Sequence, residues 1–165
     1  PGVLPRIVDL EPVRVVLDTA FQTPLSAKIF KHNAFDRGCP IVFTTIAANG
    51  AKIKKAERCG IDVIVLPQHG HRVNVSAVLK ALGLRGVTSL LVEGGSTVAA
   101  SFFNDRKVDA LSLFFAPIVL GAEAIPAIGR LGIRGVDEAI RLKDMKARMI
   151  GEDLLIEATP DFGRQ

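Results

Sequence analysis

Four short apolar runs, spaced far apart along the chain, constrain the fold most. They are rich in Val and Ile and occupy residues 13–17, 41–45, 61–66 and 89–92. Runs that are apolar at nearly every position are typical of strands buried on both faces, as in a parallel sheet. Between 15 and 23 residues separate successive runs. This is too long for hairpins and long enough for parallel crossovers, so we expect a β-α-β-α arrangement over the first two thirds of the chain.

The crossovers between these runs are predicted to contain helices. The clearest follows Asn74, which can cap the amino end, and it stops at Gly83, which can supply a left-handed residue after the last turn. Thr23 and Pro24 have the order of a cap followed by a proline at the first helical position, which predicts a short helix through Leu25 and Ile29. Two more helices are predicted over residues 51–58 and 96–103.

The pattern changes in the last third of the chain. Residues 110–116 predict a strand, and residues 117–135 are rich in Gly and Pro with little periodicity, which predicts a loop. Residues 146–150 and 154–158 flank Gly151-Glu152-Asp153 and predict a hairpin. We therefore expect an α/β fold in which a mixed, mainly parallel sheet carries helices on both faces and ends in an antiparallel C-terminal hairpin.

The composition argues against several classes of function. With 48% hydrophobic residues, 23% charged residues and a net charge of +4, the chain is too apolar for disorder. No apolar run approaches the roughly 18 residues that a membrane span needs. Dispersed basic residues and the absence of Trp and Tyr argue against nucleic acid as a partner. We expect a soluble, cytoplasmic protein that forms a single domain over residues 1–165.

The cysteines and histidines do not have the spacing of a metal site. Cys39 and Cys59 lack the paired spacing of zinc ligands, so we interpret them as reduced thiols. His69 and His71 share one loop without an obvious third ligand, and His32 has no evident partner. The sequence therefore predicts no metal.

The sharpest signal for chemistry is a pair of glycines at a predicted strand-to-helix turn. An apolar run leads into Glu93, which is followed by Gly94 and Gly95 and then by Ser96 and Thr97 at the start of a helix. Glycine lets the backbone approach a ligand closely, and the N–H groups of a first helical turn have no partner within the helix. Such a helix start favours an anion, and a phosphate or pyrophosphate is the natural occupant. The spacing matches neither a Rossmann site nor a P-loop, so glycines that only form the turn are the alternative.

Carboxylates and hydroxyls are predicted at the ends of the strands. Glu93 could accept hydrogen bonds from sugar hydroxyls or ring N–H groups in the ligand-binding crevice, or it could be a capping or ion-paired residue. Asp18 and Thr19 end the first run, and Thr44 and Thr45 end the second. Because parallel strands end together, we expect Asp18 and Thr19 at the same sheet edge as Glu93. A simple turn or structural role is the alternative for these residues.

Several segments together resemble a known family. In chain order they are PVRVVLD at 12–18, LVEGGST at 91–97, VDA at 108–110, APIVLG at 116–121 and GEDLL at 151–155. The set is similar to the carboxyl-terminal reductase domain of the bifunctional riboflavin-biosynthesis deaminase–reductase, which has the three-layer fold of dihydrofolate reductase. The resemblance runs from about residue 12 to residue 160.

The resemblance implies an NADPH-dependent reduction of 5-amino-6-(5-phosphoribosylamino)uracil to the ribitylamino product, with hydride passing to the ribose C1′. It implies that Glu93 binds this phosphoribosylamino-pyrimidine substrate and that Thr19 contacts NADPH. It identifies no catalytic residue. It further implies a homodimer and a fused N-terminal deaminase domain. The other cofactor-binding residues that it implies are Gly94, Gly95, Ser96, Thr97, Val98 and Ala99.

Family members begin this domain with a strand–helix–strand segment that the present sequence lacks, since it starts at Pro1-Gly2. We therefore expect these residues to be the later part of a longer polypeptide, and we expect no turnover from this segment alone. Two alternatives stay open. One is another reductase of the same fold that acts on a pterin-type heterocycle, and the other is a non-catalytic association domain.

Overall fold

The computed structural model describes residues 12–31 and 38–163, and the chain divides into two compact units, Pro1–Thr88 and Ser89–Gln165. None of the helices in the described residues is long and apolar enough to cross a membrane. The helices are α1 (Gly50–Arg58), α2 (Val75–Gly83) and α3 (Ser96–Asn104), with short 3-10 turns at Lys28–Phe30 and Val136–Glu138. The strands are β1 (Val15–Leu17), β2 (Ile41–Thr44), β3 (Asp62–Val65), β4 (Gln68–His69), β5 (Arg72–Val73), β6 (Leu111–Phe115), β7 (Arg141–Ile150) and β8 (Asp153–Asp161).

A three-stranded parallel sheet forms the centre of the first unit. Its order is β1-β2-β3, and Ile41 lies opposite both Val15 and Asp62. All four residues of β2 are buried, as expected for a middle strand that is covered on both faces. The first three predicted strands and their parallel pairing are therefore confirmed.

Asparagine side chains start the two helices of this unit. The Asn49 side chain accepts hydrogen bonds from the N–H groups of Ala51 and Lys52, and Asn74 Oδ1 accepts one from Ala77 N at 2.9 Å. The predicted cap at Asn74 is confirmed. The prediction that Gly83 is the left-handed residue after α2 is wrong. Gly83 is still helical, and Gly86, with φ of 78°, makes the turn.

The short helix predicted at Thr23 and Pro24 is wrong. Both the N–H and the hydroxyl of Thr23 donate to Asp18 Oδ2, at 2.7 and 2.6 Å. Because these donors close a loop onto the end of β1, Thr23 does not cap a helix. Farther on, only the single 3-10 turn Lys28–Phe30 forms.

The core of the first unit lies under this loop. Phe21 and Phe30 pack edge to face, with ring centroids 6.4 Å apart. Such a pair stabilises by roughly 0.5–1.5 kcal/mol beyond the area that it buries. The other buried members of this core are Val42, Ala56 and Ile61. The core thus anchors the chain directly after β1.

The second unit contains α3 and a three-stranded antiparallel sheet of order β6-β8-β7. Ile150 pairs with Asp153, and Gly151 takes the left-handed conformation that the tight turn between β7 and β8 requires, with φ of 63°. The predicted strand, hairpin and helix of this unit are confirmed. The intervening region 117–135 contains no helix or strand, as predicted for a loop.

The strand predicted over residues 89–92 is wrong. No strand is assigned between residues 84 and 95, and Leu91 is 80% exposed. A strand exists only where a neighbour supplies hydrogen-bond partners, and no described strand pairs with this segment. The α/β class is confirmed with its parallel sheet, helices and antiparallel hairpin. The parallel and antiparallel strands belong to separate sheets: the first unit holds the parallel sheet and the short antiparallel pair β4-β5, and the second unit holds the antiparallel sheet β6-β8-β7.

Candidate functional site

The amino end of α3 is open. The Gly95 carbonyl accepts hydrogen bonds from Val98 N at 2.9 Å and Ala99 N at 3.2 Å. Within residues 12–31 and 38–163, no acceptor is recorded for the N–H groups of Ser96 and Thr97. A Cβ atom built on Gly95 would meet no atom within 4 Å. Two donors therefore stand at a helix start with free space beside the capping glycine.

Two further glycines shape this turn. A Cβ on Gly94 would lie 3.0 Å from the Val98 Cβ, so only a residue without a side chain fits comfortably. Gly129 N donates to the Ser96 carbonyl oxygen at 2.9 Å, and a Cβ on Gly129 would lie 2.9 Å from that same oxygen. Gly129 was not predicted as a site residue, because nothing local in its loop indicates a contact with α3.

Glu93 is exposed and precedes the two glycines. It does not end a strand, which corrects the expectation that a buried strand would present it. Among the described residues, no ion pair or capping hydrogen bond of Glu93 is recorded. The carboxylate is therefore available to accept hydrogen bonds from a ligand.

Thr19, in the first unit, follows β1 and is held through its carbonyl oxygen. That oxygen accepts hydrogen bonds from Thr45 Oγ1 at 2.8 Å, Thr44 Oγ1 at 3.1 Å and Thr45 N at 3.2 Å. Thr44 and Thr45 are both 0% exposed. These two residues thus have the structural role that the sequence left open. The Thr19 hydroxyl has no recorded hydrogen bond to any described residue.

Asp18 stabilises the same loop as a carboxylate. Partial burial raises the pKa of this carboxyl, but hydrogen bonds from the Thr23 side chain and from the N–H groups of Thr23 and Gln22 outweigh it. The positive charge of Lys52 also lowers the pKa of Asp18, which therefore lies below the usual value of 3.8. Asp18 therefore remains ionised at neutral pH.

The predicted site residues fall into two groups. One turn of α3 and its entry bring together Glu93 and the cofactor residues Gly94, Gly95, Ser96, Thr97, Val98 and Ala99. The ends of β1 and β2 bring together Asp18, Thr19, Thr44 and Thr45. The groups belong to different units, and the expected proximity of Thr19 to Glu93 stays a prediction.

Cysteine and histidine form no metal site in the described part of the chain. Cys39 and Cys59 are exposed free thiols. His69 ends β4, whereas His32 lies outside the described residues. No group of three or more His, Cys, Asp or Glu that could hold a metal ion occurs within residues 12–31 and 38–163.

The fold has solved counterparts. The RibD structure of Acinetobacter baumannii superposes with a TM-score of 0.74 at 19% sequence identity, over 91% of this chain and 38% of that one. At this identity the likeness establishes the fold, which is therefore the α/β fold found in RibD.

Sequence comparison identifies the family. The model of the RibD C-terminal domain matches residues 6–156, and the chain belongs to the RibD C-terminal domain family. The riboflavin biosynthesis protein RibD of Actinobacillus pleuropneumoniae is 33% identical over 148 residues, which are 89% of this chain and 39% of that protein. The 2,5-diamino-6-ribosylamino-4(3H)-pyrimidinone 5′-phosphate reductase of Aquifex aeolicus is 28% identical over 88% of this chain and 63% of that protein. The chain spans 39% to 44% of the length of the RibD relatives of Actinobacillus pleuropneumoniae, Aquifex aeolicus and Bacillus amyloliquefaciens.

Proposed function

We propose that this chain is a reductase of riboflavin biosynthesis that reduces 5-amino-6-(5-phosphoribosylamino)uracil with NADPH. The observation that carries the proposal is the start of α3, where Ser96 and Thr97 have no acceptor among the described residues for their N–H groups and Gly95 leaves free space. In a member of the RibD C-terminal domain family, this geometry fits the pyrophosphate of a dinucleotide.

Electrostatics favour an anion at this helix start. The helix dipole contributes about 0.3–1 kcal/mol, and each hydrogen bond to a charged oxygen contributes about 1.5–3 kcal/mol. The N–H groups of Val98 and Ala99 already donate to Gly95, so those two residues would bind the cofactor by packing. The cofactor-binding residues that we propose on α3 and its entry are Gly94, Gly95, Ser96, Thr97, Val98 and Ala99.

Glu93 is proposed to bind the substrate. Its exposed carboxylate is an acceptor, which suits the hydroxyls of a sugar or the N–H groups of a pyrimidine ring. A nicotinamide cofactor, when bound, supplies the hydride that the ribose C1′ receives. The part of this chain is to bind and orient the two ligands, and we assign no residue as the proton donor.

Thr19 is proposed as a second contact to NADPH. Its carbonyl is occupied by three donors, whereas its hydroxyl has no recorded partner in the described part of the chain. A hydroxyl can donate to the ribose 2′-phosphate, which NADPH has and NADH lacks, and bonds to charged oxygens are the strong ones. Thr19 would therefore contribute to the choice between the two dinucleotides.

A related pyrimidine substrate is the second candidate. The relative from Aquifex aeolicus is named for the reduction of 2,5-diamino-6-ribosylamino-4(3H)-pyrimidinone 5′-phosphate. The two compounds differ in the pyrimidine ring and share the ribosyl phosphate. Assays with each compound under identical conditions decide between them, and a higher kcat/KM for the diamino compound would reverse our choice.

We further propose that residues 1–165 belong to a single reductase domain, which is active only within the longer polypeptide, pairs as a homodimer and follows a fused deaminase domain. The greater length of the RibD relatives supports a further domain. Light scattering of the eluting protein measures the subunit number, and a monomer at micromolar concentration would contradict the homodimer. The coding sequence upstream of Pro1 tests the fused domain, for which we expect a zinc-deaminase pattern.

The central experiment is a titration of the complete polypeptide with NADPH, followed by fluorescence and calorimetry. We expect saturable binding and, once the phosphoribosylamino-pyrimidine is added, loss of the NADPH absorbance. A pterin substrate serves as the control, since turnover of the pterin alone would indicate a different reductase of the same fold. Absence of saturable NADPH binding would overturn the proposed activity and leave the association domain.

A further inference from the structure

The hydroxyl of Thr45 ties together the carboxyl ends of the parallel strands. Thr45 directly follows β2, and its Oγ1 donates to the carbonyl oxygen of Thr19, after β1, at 2.8 Å. The Thr45 Oγ1 atom itself accepts from Gln68 Nε2, after β3, at 3.0 Å and from Ala47 N at 3.2 Å. A hydroxyl has one donor and two acceptor sites. All three are used, so the Thr45 hydroxyl has a single favourable orientation.

The loop that starts at Thr19 is fixed from several sides. Asp18 accepts two hydrogen bonds from Thr23 and so closes the loop. Phe21, 1% exposed, has φ of 49°, which is unusual for a bulky residue. Such a conformation persists only where the surroundings over-determine it, and this is common beside functional sites. The Thr19 main chain is thus held rigidly while its hydroxyl has no recorded partner among the described residues.

We propose that Thr45 is a positioning residue for dinucleotide selectivity. By fixing the main chain of Thr19, the Thr45 hydroxyl holds the Thr19 hydroxyl ready to donate to the ribose 2′-phosphate of NADPH. A donor that is already in place loses less conformational entropy on binding than a mobile one, so it discriminates better. The inference rests on the proposed function, because it needs NADPH as the cofactor.

Isosteric variants separate this role from simple packing. Thr45→Val removes the hydroxyl and keeps the shape, whereas Thr45→Ser keeps the hydroxyl. Thr44→Val is a graded comparison and not a null control, since Thr44 is equally buried and donates to the same carbonyl through a longer hydrogen bond, of 3.1 Å. We expect Thr45→Val to lower the preference for NADPH over NADH by about three- to tenfold, the range for one lost hydrogen bond. Thr45→Ser should retain the preference, and Thr44→Val should reduce it less.

The readout is the ratio of the dissociation constants for NADH and NADPH, measured by calorimetry on the complete polypeptide. A purely structural role would weaken both dinucleotides equally and leave the ratio unchanged. If Thr45→Val fails to fold, Gln68→Leu provides the second variant. Gln68 is exposed, and its loss removes a hydrogen bond that orients the Thr45 hydroxyl. We then expect a smaller reduction of the ratio.

A double variant completes the test. In a Thr19→Val background, Thr45→Val should change the ratio no further, because the hydroxyl that it positions is absent. An unchanged ratio in folded Thr45→Val, or an undiminished effect in the Thr19→Val background, overturns the inference while the proposed function stands. If the wild-type protein binds neither dinucleotide, the proposed function fails first and this inference fails with it.

Discussion

Replacing Gly95 by valine should abolish dinucleotide binding and leave the chain folded. Gly95 has φ of −61° and ψ of 172°, a conformation open to any residue, and its Cβ would meet no atom within 4 Å. The fold therefore loses little more than a favourable N-cap, which is worth about 1 kcal/mol. A branched side chain in the free space would instead keep a phosphate away from the N–H groups of Ser96 and Thr97.

The size of the effect follows from those two donors. Each hydrogen bond to a charged oxygen is worth about 1.5–3 kcal/mol, so losing both costs roughly 3–6 kcal/mol. That corresponds to an increase of about a hundredfold to ten-thousandfold in the dissociation constant for NADPH. Gly95→Ala introduces a smaller obstacle and should lie between the wild type and Gly95→Val.

Calorimetric titration with NADPH measures the binding, and thermal unfolding without cofactor measures the fold. Gly83→Val is the matched control. Its Cβ also meets nothing within 4 Å, and it lies in the last turn of α2 rather than at a helix start. We expect the control to bind normally. Unchanged affinity in folded Gly95→Val would refute the reasoning, because Gly95 would then serve only to form the turn.

Three further outcomes follow from the same contacts. Gly129→Ala should lower the free energy of unfolding in urea by about 1–3 kcal/mol, because its Cβ would lie 2.9 Å from the Ser96 carbonyl oxygen, and equal stability would contradict that close approach. Asp18→Asn should be less stable than the wild type at neutral pH. Since the folded pKa of Asp18 lies below the usual 3.8, the advantage of the carboxylate is complete above about that pH and is lost as pH falls through the folded pKa. The free energy of unfolding of the wild type and of Asp18→Asn, measured from neutral pH down to acid pH, tests this. A difference between the two proteins that stays constant over the whole pH series would contradict the prediction. Glu93→Gln should raise KM for the phosphoribosyl substrate and leave NADPH affinity unchanged, and the opposite pattern would mean that the two subsites are exchanged.

The parts of the fold that are predicted correctly have local signals. A middle strand that is covered on both faces must be apolar throughout, and residues 41–44 meet that demand. A helix start leaves N–H groups without acceptors, so Asn74 could be identified as a cap from its position alone. The left-handed glycine between β7 and β8 follows equally directly from the tight turn that it makes.

The misplaced elements depend on partners that are distant in sequence. Residues 89–92 have the composition of a buried strand, but no described strand pairs with them, and composition alone does not supply a neighbour. Thr23 has the residue type of a helix cap, yet the nearest strong acceptor is the Asp18 carboxylate, which takes both of its donors. A local pattern cannot decide whether a threonine side chain accepts from the next helical turn, as a cap does, or donates to a carboxylate elsewhere in the chain.

The same division runs through the candidate site. The donors at Ser96 and Thr97 could be anticipated, because the first N–H groups of a helix have no partner within it and a glycine N-cap has no side chain to accept from them. The contact between Gly129 and Ser96 and the link between Gln68 and Thr45 join separate segments, and no spacing in the sequence indicates either of them. Sequence thus locates the groups that a ligand would meet, whereas the structure supplies the contacts that hold them.

Hydrogen exchange tests this view of the site without relying on catalysis. The N–H group of Thr45 is fully buried and donates to the Thr19 carbonyl, so it should exchange slowly with or without ligand. The N–H groups of Ser96 and Thr97 have no acceptor among the described residues and should exchange fast in the free protein. Saturating NADPH should slow Ser96 and Thr97 strongly, because a phosphate oxygen becomes their acceptor, while Thr45 changes little. Slowing confined to Thr45 would show that the dinucleotide stiffens the parallel sheet and does not bind at the start of α3.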